Sequence, residues 1–281
     1  MVWKDRGCTG ILMILCMLVW LPVLLLAAAS FMPEDELVFR YLSPLGIGTD
    51  RVRAAVMPSY LSLDAYGTLL LKSPGFFVMF WNSCIQVFPL LAGQMLVGVP
   101  AAWALARYRF RGRELVETGY FLLFLLPFQV TQVSAYLVLD RIGLLDTHLA
   151  IILPGVWSAM PVIIMSRFFK SIPESILEAA RLEGAGELRI LTAVGIPLGK
   201  AGILAVWLLG FFAGWNNIEQ PVAYLKERSL WPLALYLPEI TADQTQVAFA
   251  AGMVALIPSV LVFWCGREEL EQGIVLDGIK E

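Results

Sequence analysis

Nine polar side chains interrupt otherwise apolar stretches of this sequence: Asn82, Gln86, Gln94, Gln129, Gln132, Asn216, Asn217, Glu219 and Gln220. An amide donates and accepts at once, so it can hold the hydroxyls of a sugar or tie one helix to another. Asn82 and Gln86 fall one turn apart on a single helical face, and Gln129 and Gln132 are likewise neighbours. Trp215, Tyr136 and Trp157 supply aromatic faces on which the C–H surface of a sugar can rest. Asn82, Gln86, Gln129, Gln132, Trp215, Asn216 and Asn217 are therefore candidates to line a solute pathway. For each amide the competing role is a helix–helix tie. Glu219 reads as an interfacial group, and Gly210 with Gly214 forms a G-x-x-x-G pair that marks close helix packing.

A second constellation lies between residues 171 and 200: S-I-P-E-S-I-L-E-A-A-R-L-E-G-A-G-E-L-R-I-L-T-A-V-G-I-P-L. Ser171 and Glu174 fit a capping box, and Pro173 suits a first helical turn. Glu174 and Glu178 lie where the helix dipole favours negative charge. Gly184 and Gly186 then weaken or bend the helix, and a second short helix, from about Glu187 to Val194, runs into Pro197. The result is a helix–bend–helix elbow with small residues at Ala179, Ala180, Ala185 and Gly186. Another backbone can approach them closely, and Glu178, Arg181, Glu183 and Arg189 flank them. That is the layout of a plug that enters a partner's groove.

Catalytic chemistry has little to stand on. His148 is the single histidine, and Cys8, Cys16, Cys84 and Cys265 show no metal-ligand spacing. The run Gly195-Ile-Pro-Leu-Gly199-Lys200-Ala201 superficially resembles a phosphate-binding loop. It is one residue short, Ala201 cannot ligate magnesium, and Pro197 removes an amide donor.

The elements that must position these groups follow from composition. Of the 281 residues, 59% are hydrophobic and 15% charged, where a soluble domain keeps about a quarter charged. Uncharged runs cover 7–33, 73–106, 118–139, 147–166, 201–218 and 244–266. A bilayer core about 30 Å thick needs roughly 20 apolar residues at 1.5 Å each. Backbone groups in lipid must be satisfied within their own segment, so six spanning helices are expected, near 10–32, 79–105, 118–139, 149–168, 201–220 and 247–265. The first has Lys4 and Arg6 ahead of it, and Ala27-Ala28-Ala29-Ser30 resembles a cleavage site. Its apolar length, Ile11 to Met32, exceeds a signal core, so a retained helix is expected.

With the amino terminus inside, the inner segments hold 13 of the 20 basic residues, among them Arg107, Arg109, Arg111 and Arg113 in one short loop. Both termini are then cytoplasmic, and that basic loop reads as a topology anchor beside anionic lipid. The longest outer segment, Glu34 to Gly75, is expected to be irregular at first, around Pro44, Gly46 and Gly48. A short surface helix follows from Ser62 to Leu71. The organisation is thus 1–78, a helix plus outer segment; 79–268, a core of five helices carrying the 171–200 loop; and 269–281, a cytoplasmic tail.

The elbow's sequence, E-A-A-R-L-E-G-A-G followed by I-P-L, resembles the EAA loop of bacterial ABC importer permeases. Glu178, Ala179, Ala180, Gly184, Ala185 and Pro197 match that pattern. Glu183 stands where Asp is usual and Ile196 where Leu is common. Asn82-Ser83, A-W-A-L-A-R-Y-R-F-R-G-R at 102–113, G-L-L-D-T at 143–147, and W-N-N at 215–217 before E-Q-P are similar to maltose-type permeases of sugar importers. The resemblance covers roughly residues 60–281. It implies an all-α, polytopic fold with six transmembrane helices and a cytoplasmic coupling helix, in a bacterial plasma membrane. It implies as partners a second permease, two ATPase subunits and an extracytoplasmic binding protein. Glu178, Ala179, Ala180, Arg181, Glu183, Gly184, Ala185 and Pro197 would couple to the ATPase. No cofactor is expected on this chain, since the partner ATPase uses the ATP and magnesium. A nucleic acid is not an expected partner. A polyamine, a peptide or an osmolyte is the alternative to a sugar. A self-sufficient secondary carrier would need ionisable residues at mid-membrane and inverted repeats. A membrane enzyme would need clustered acids or metal ligands.

Overall fold

The structure is a computed structural model that describes residues 2–37, 58–236 and 245–278. All regular structure among these residues is helical. Four helices are long and apolar enough to cross a membrane: Thr9–Ser30, Pro74–Arg107, Leu149–Ser171 and Thr245–Arg267. Two bent pairs, Arg113–Leu125 with Phe128–Arg141 and Glu187–Leu198 with Lys200–Trp215, bring the number of spans to as many as 6. The fold is therefore all-α and multi-pass.

The chain divides into two compact units, 1–77 with 235–258 and 78–234 with 259–281. In the first, helix α1 (Val2–Ser30) is followed by a four-residue helix α2 (Glu34–Leu37). Met32 and Leu37 are buried with Ala29, and Phe249 packs on them. The Gln246 side-chain amide donates to the Met32 carbonyl at 2.8 Å. The expected surface helix is present as α3 (Asp64–Lys72). The expected irregularity around Pro44, Gly46 and Gly48 lies outside the described residues.

The second unit is built on helix α4 (Pro74–Arg107), 34 residues long. Its C-terminal half contributes Val99, Ala102, Trp103 and Leu105 to a core that also holds Val162, Met165, Phe169, Leu177, Ile190 and Val206. The G-x-x-x-G pair packs as expected: a Cβ on Gly210 would stand 2.7 Å from Leu91, and one on Gly214 would stand 3.3 Å from Val87.

Three spans depart from straight helices. Helices α5 (Arg113–Leu125) and α6 (Phe128–Arg141) meet at 101°. Pro127 holds Leu126 extended and offers no N–H to continue the ladder. The fourth span is broken between α7 (Leu149–Val156) and α8 (Ala159–Ser171). Ser158 is extended there, and Pro161 has no donor for the Trp157 carbonyl. The Gln94 amide, buried at this level, donates to the Gly155 carbonyl at 2.9 Å and so repairs part of the break. The fifth span ends at Trp215, short of the expected 220. A short helix α13 (Glu219–Tyr224) follows beyond a turn. The last helix, α14 (Thr245–Gly278), runs past the expected end of the sixth span.

Candidate functional site

Helix α9 (Glu174–Leu182) opens the elbow. The expected capping box does not form. Pro173 occupies the N-cap, Ile172 is extended because a proline follows it, and the Ser171 hydroxyl donates to the Phe168 carbonyl instead. The helix stops at Gly184, whose φ of 82° is in the left-handed region. The Ala185 N–H donates to Ala180 O and the Gly184 N–H to Arg181 O, each at 3.0 Å. This is the paired 6→1 and 5→2 closure of a Schellman motif, and it requires positive φ at the residue that glycine occupies. The second limb is α10 (Glu187–Ile190), a π-turn over Leu191–Gly195 and α11 (Ile196–Leu198). Pro197 lacks the N–H that would bond Ala193, which accounts for the disturbed ladder. Helix α12 (Lys200–Trp215) then leaves at 73°.

The elbow is anchored by burial and by charge. Leu177 and Ile190 are fully buried in the core below α4, and Ala180 and Ala185 pack against that core. Those two alanines therefore face the chain's own interior, while Ala179, Gly184 and Gly186 are exposed. Arg107, the last residue of α4, has a side chain only 7% exposed. It donates to the Phe169 carbonyl and, at 2.6 Å, to the Ile172 carbonyl. Its other nitrogen meets Glu174 at 3.1 Å. Arg181 bridges Glu174 and Glu187, both at 3.0 Å, and the Tyr108 hydroxyl donates to Glu187 at 3.1 Å. The chain of contacts closes on α4, where Tyr108 follows Arg107. The Glu187 and Glu174 carboxylates raise the pKa of Arg181 above its ordinary value. Burial, then Glu187, pushes the Tyr108 phenol up.

Arg107 is thus a buried brace, not the lipid-facing anchor expected for the whole basic run; Arg109 and Arg111 are exposed. Arg181, expected to contact a partner, is already committed within the elbow. Among the described residues, the side chains of Glu178, Glu183 and Arg189 have no hydrogen bond or ion pair. Beside them Leu182 is 89% exposed and Leu188 76% exposed. The sequence reading missed both the Arg107 brace and the Arg181–Glu174 bridge; only the bridge had a local signal, since Glu174 and Arg181 are seven residues apart and so on one helical face.

The amides divide into two groups. Asn82 is buried and donates to the Ser229 and Trp231 carbonyls at 2.7 and 3.0 Å. Gln86, also buried, donates to Leu230 O at 2.9 Å and contacts His148 Nδ1 at 3.2 Å. Trp215 is buried, stacked on Phe211 at 5.4 Å. Nearer the break after α5, Gln129 is exposed without a protein partner among the described residues, and Gln132 donates to Glu219 O at 3.2 Å. The exposed Asn216 donates to Phe212 O at 3.0 Å, and Asn217 pairs with Gln220 at 2.8 Å. The G-L-L-D-T segment has a structural role. Asp146, at φ 58°, accepts the Lys226 and Glu227 N–H groups at 2.9 and 3.0 Å.

Residues 94–266 match the family described as "Binding-protein-dependent transport system inner membrane component". The chain belongs to that family. The permease is 28% identical to the sn-glycerol-3-phosphate transport system permease protein UgpE of Yersinia pestis, over 73% of this chain and 74% of that one. It is 25% identical to the polygalacturonan/rhamnogalacturonan transport system permease protein YtcP of Bacillus subtilis, over 98% of each. A solved structure of a bacterial ABC transporter involved in the import of the acidic polysaccharide alginate superposes with a TM-score of 0.80. That match has 22% identity and covers 95% of this chain and 96% of that one. The permease is accordingly a transport subunit of an ABC importer.

Proposed function

We propose that the permease forms part of a path for a carbohydrate delivered by an extracytoplasmic binding protein, and that it is of the maltose type. It pairs with a second permease above two ATPase subunits, with both termini cytoplasmic. The elbow is the handle that the ATPase grips. Glu178, Glu183 and Arg189 supply directional contacts and Leu182 and Leu188 the apolar ones. Gly184, Ala179 and Gly186 let the partner's backbone come close. Arg181, Ala180, Ala185 and Pro197 shape the elbow from within. Nucleotide-driven closure of the ATPase pair then selects between two packings of the spans.

The observation that carries this reading is the asymmetry of the elbow. Its inner side is fastened by a closed set of polar bonds, while its outer side presents unpaired charge beside bare leucines. The saccharide names borne by relatives support a sugar over a polyamine, peptide or osmolyte. Gln129, Gln132, Asn216 and Asn217, beside the bent and interrupted spans, are the amides placed to meet it. Asn82, Gln86 and Trp215 form the supporting wall.

Co-purification tests the docking. The wild-type chain brings down an ATPase. Glu178→Arg and Gly184→Val insert normally but lose that partner and import. Import at the wild-type rate by both variants would falsify the assignment. ATPase stimulation by binding protein loaded with an oligosaccharide, compared with a polyamine, decides the solute class.

A further inference from the structure

Between α5 and α8, at their cytoplasmic ends, lies a cleft of about 200 Å³ whose lining includes the apolar Leu105, Phe121 and Val162 and the polar Tyr120, Arg167 and Lys170. Glu117, also in its wall, receives Lys170 at 2.8 Å and Arg113 at 3.3 Å on the same carboxylate oxygen. Arg167 and Lys170 line the cleft with Glu117 as its one carboxylate, an excess of one positive charge, and Arg113 meets that carboxylate from outside the lining. The Arg167 side chain is exposed and has no hydrogen bond or ion pair among the described residues, and the Tyr120 hydroxyl is likewise without a partner.

Depth gives this arrangement its meaning. Arg167 lies four residues before the end of the Leu149–Ser171 span, which is about 6 Å of helix. A guanidinium at that level sits at the boundary between hydrocarbon and headgroup, where an anion offered by the lipid is the available counterion. The apolar wall suits an acyl chain, and the cationic mouth suits a phosphodiester.

We propose that this cleft binds the headgroup of an anionic phospholipid, with Arg167 and Tyr120 on the phosphate and the acyl chain along Leu105, Phe121 and Val162. A phosphatidylglycerol carrying a photoreactive acyl chain, incorporated into nanodiscs with the full-length chain, should label peptides from 113–125 and 159–171. Arg167→Gln should lower that labelling roughly five-fold, Arg167→Lys should retain most of it, and phosphatidylcholine carrying the same probe should label weakly. Millimolar inorganic phosphate should not compete, because the acyl chain is part of the ligand. Equal labelling by the two lipids, no effect of Arg167→Gln, or displacement by phosphate would each overturn the proposal. So would protection of these peptides by a co-purifying protein in place of lipid. Arg167 is exposed, so its variants leave the packing of α8 intact, and unchanged elution of the purified chain confirms it.

Discussion

Replacing Arg107 by methionine removes a side chain whose polar bonds join α4 to both limbs of the α8–α9 corner. The magnitude follows from where its bonds lie. At this helix end the Phe169 carbonyl has only the Ile172 N–H, at 3.3 Å, beside the Arg107 bond, and the Ile172 carbonyl has no backbone donor among the described residues. A hydrogen bond from a charged donor contributes about 1.5–3 kcal/mol, so losing two sets an upper range of roughly 3–6 kcal/mol. Burying the guanidinium is itself costly, and its removal returns part of that, which places the loss near the lower end, about 3 kcal/mol. The Glu174 contact adds little, because that carboxylate is 53% exposed. A loss of this size opens the elbow on the order of a hundred-fold more often. Hydrogen–deuterium exchange of the purified chain over residues 174–190 should report it directly. Arg181→Met is the control. Its partners are exposed, so it should cost roughly 0–1 kcal/mol and change exchange only a few-fold. Equal exchange in the two variants, or an Arg107→Met elbow as protected as wild type, would refute the division between buried brace and surface bridge.

Other outcomes follow from the same geometry. Gly184→Ala meets no steric neighbour but must hold positive φ. It should therefore cost about 1–2 kcal/mol, read as faster exchange of the 184 and 185 amides, while Gly184→Asn should recover part of the protection. Gly210→Val drives a side chain into Leu91 and toward the buried Gln94. It should separate α12 from α4 and lower the thermal midpoint of the purified chain by several degrees, whereas Gly119→Val, in open space, should not. Burial lowers the pKa of His148 below its ordinary 6.5, and Gln86 presents a donor to its ring while bonding Leu230. The folded state therefore binds the proton less readily than the unfolded chain, and stability is lost as pH falls below about 6.5. Exchange over 144–150 and 228–231 should accelerate between pH 7.5 and 5.5 in wild type and stay flat in His148→Gln. A flat wild-type profile would contradict the assignment.

Much of this architecture was legible from side-chain chemistry along the chain. The long uncharged runs demand helices because lipid offers the backbone no partners, and all six runs carry helical spans or bent pairs. The elbow was legible because Gly184 marks a helix end and Pro197 a broken ladder, both local backbone effects. The surface helix near residues 62–71 was legible from its apolar periodicity. The bend at Pro127 and the break before Pro161 have local causes as well. Hydropathy averaged over a span hides them, because a kink leaves composition unchanged.

The sequence by itself determined which segments are long and apolar enough to cross a membrane and where the elbow turns, since those depend on transfer free energies and on φ restrictions of single residues. Only the tertiary structure decided what each polar group faces. It turned Arg107 from a lipid anchor into a buried brace, spent Arg181 inside the elbow and left Glu178, Leu182 and Arg189 open. The reason is that a charge's partner lies across the fold, 67 residues away for Arg107 and Glu174. No local spacing encodes a contact over that separation.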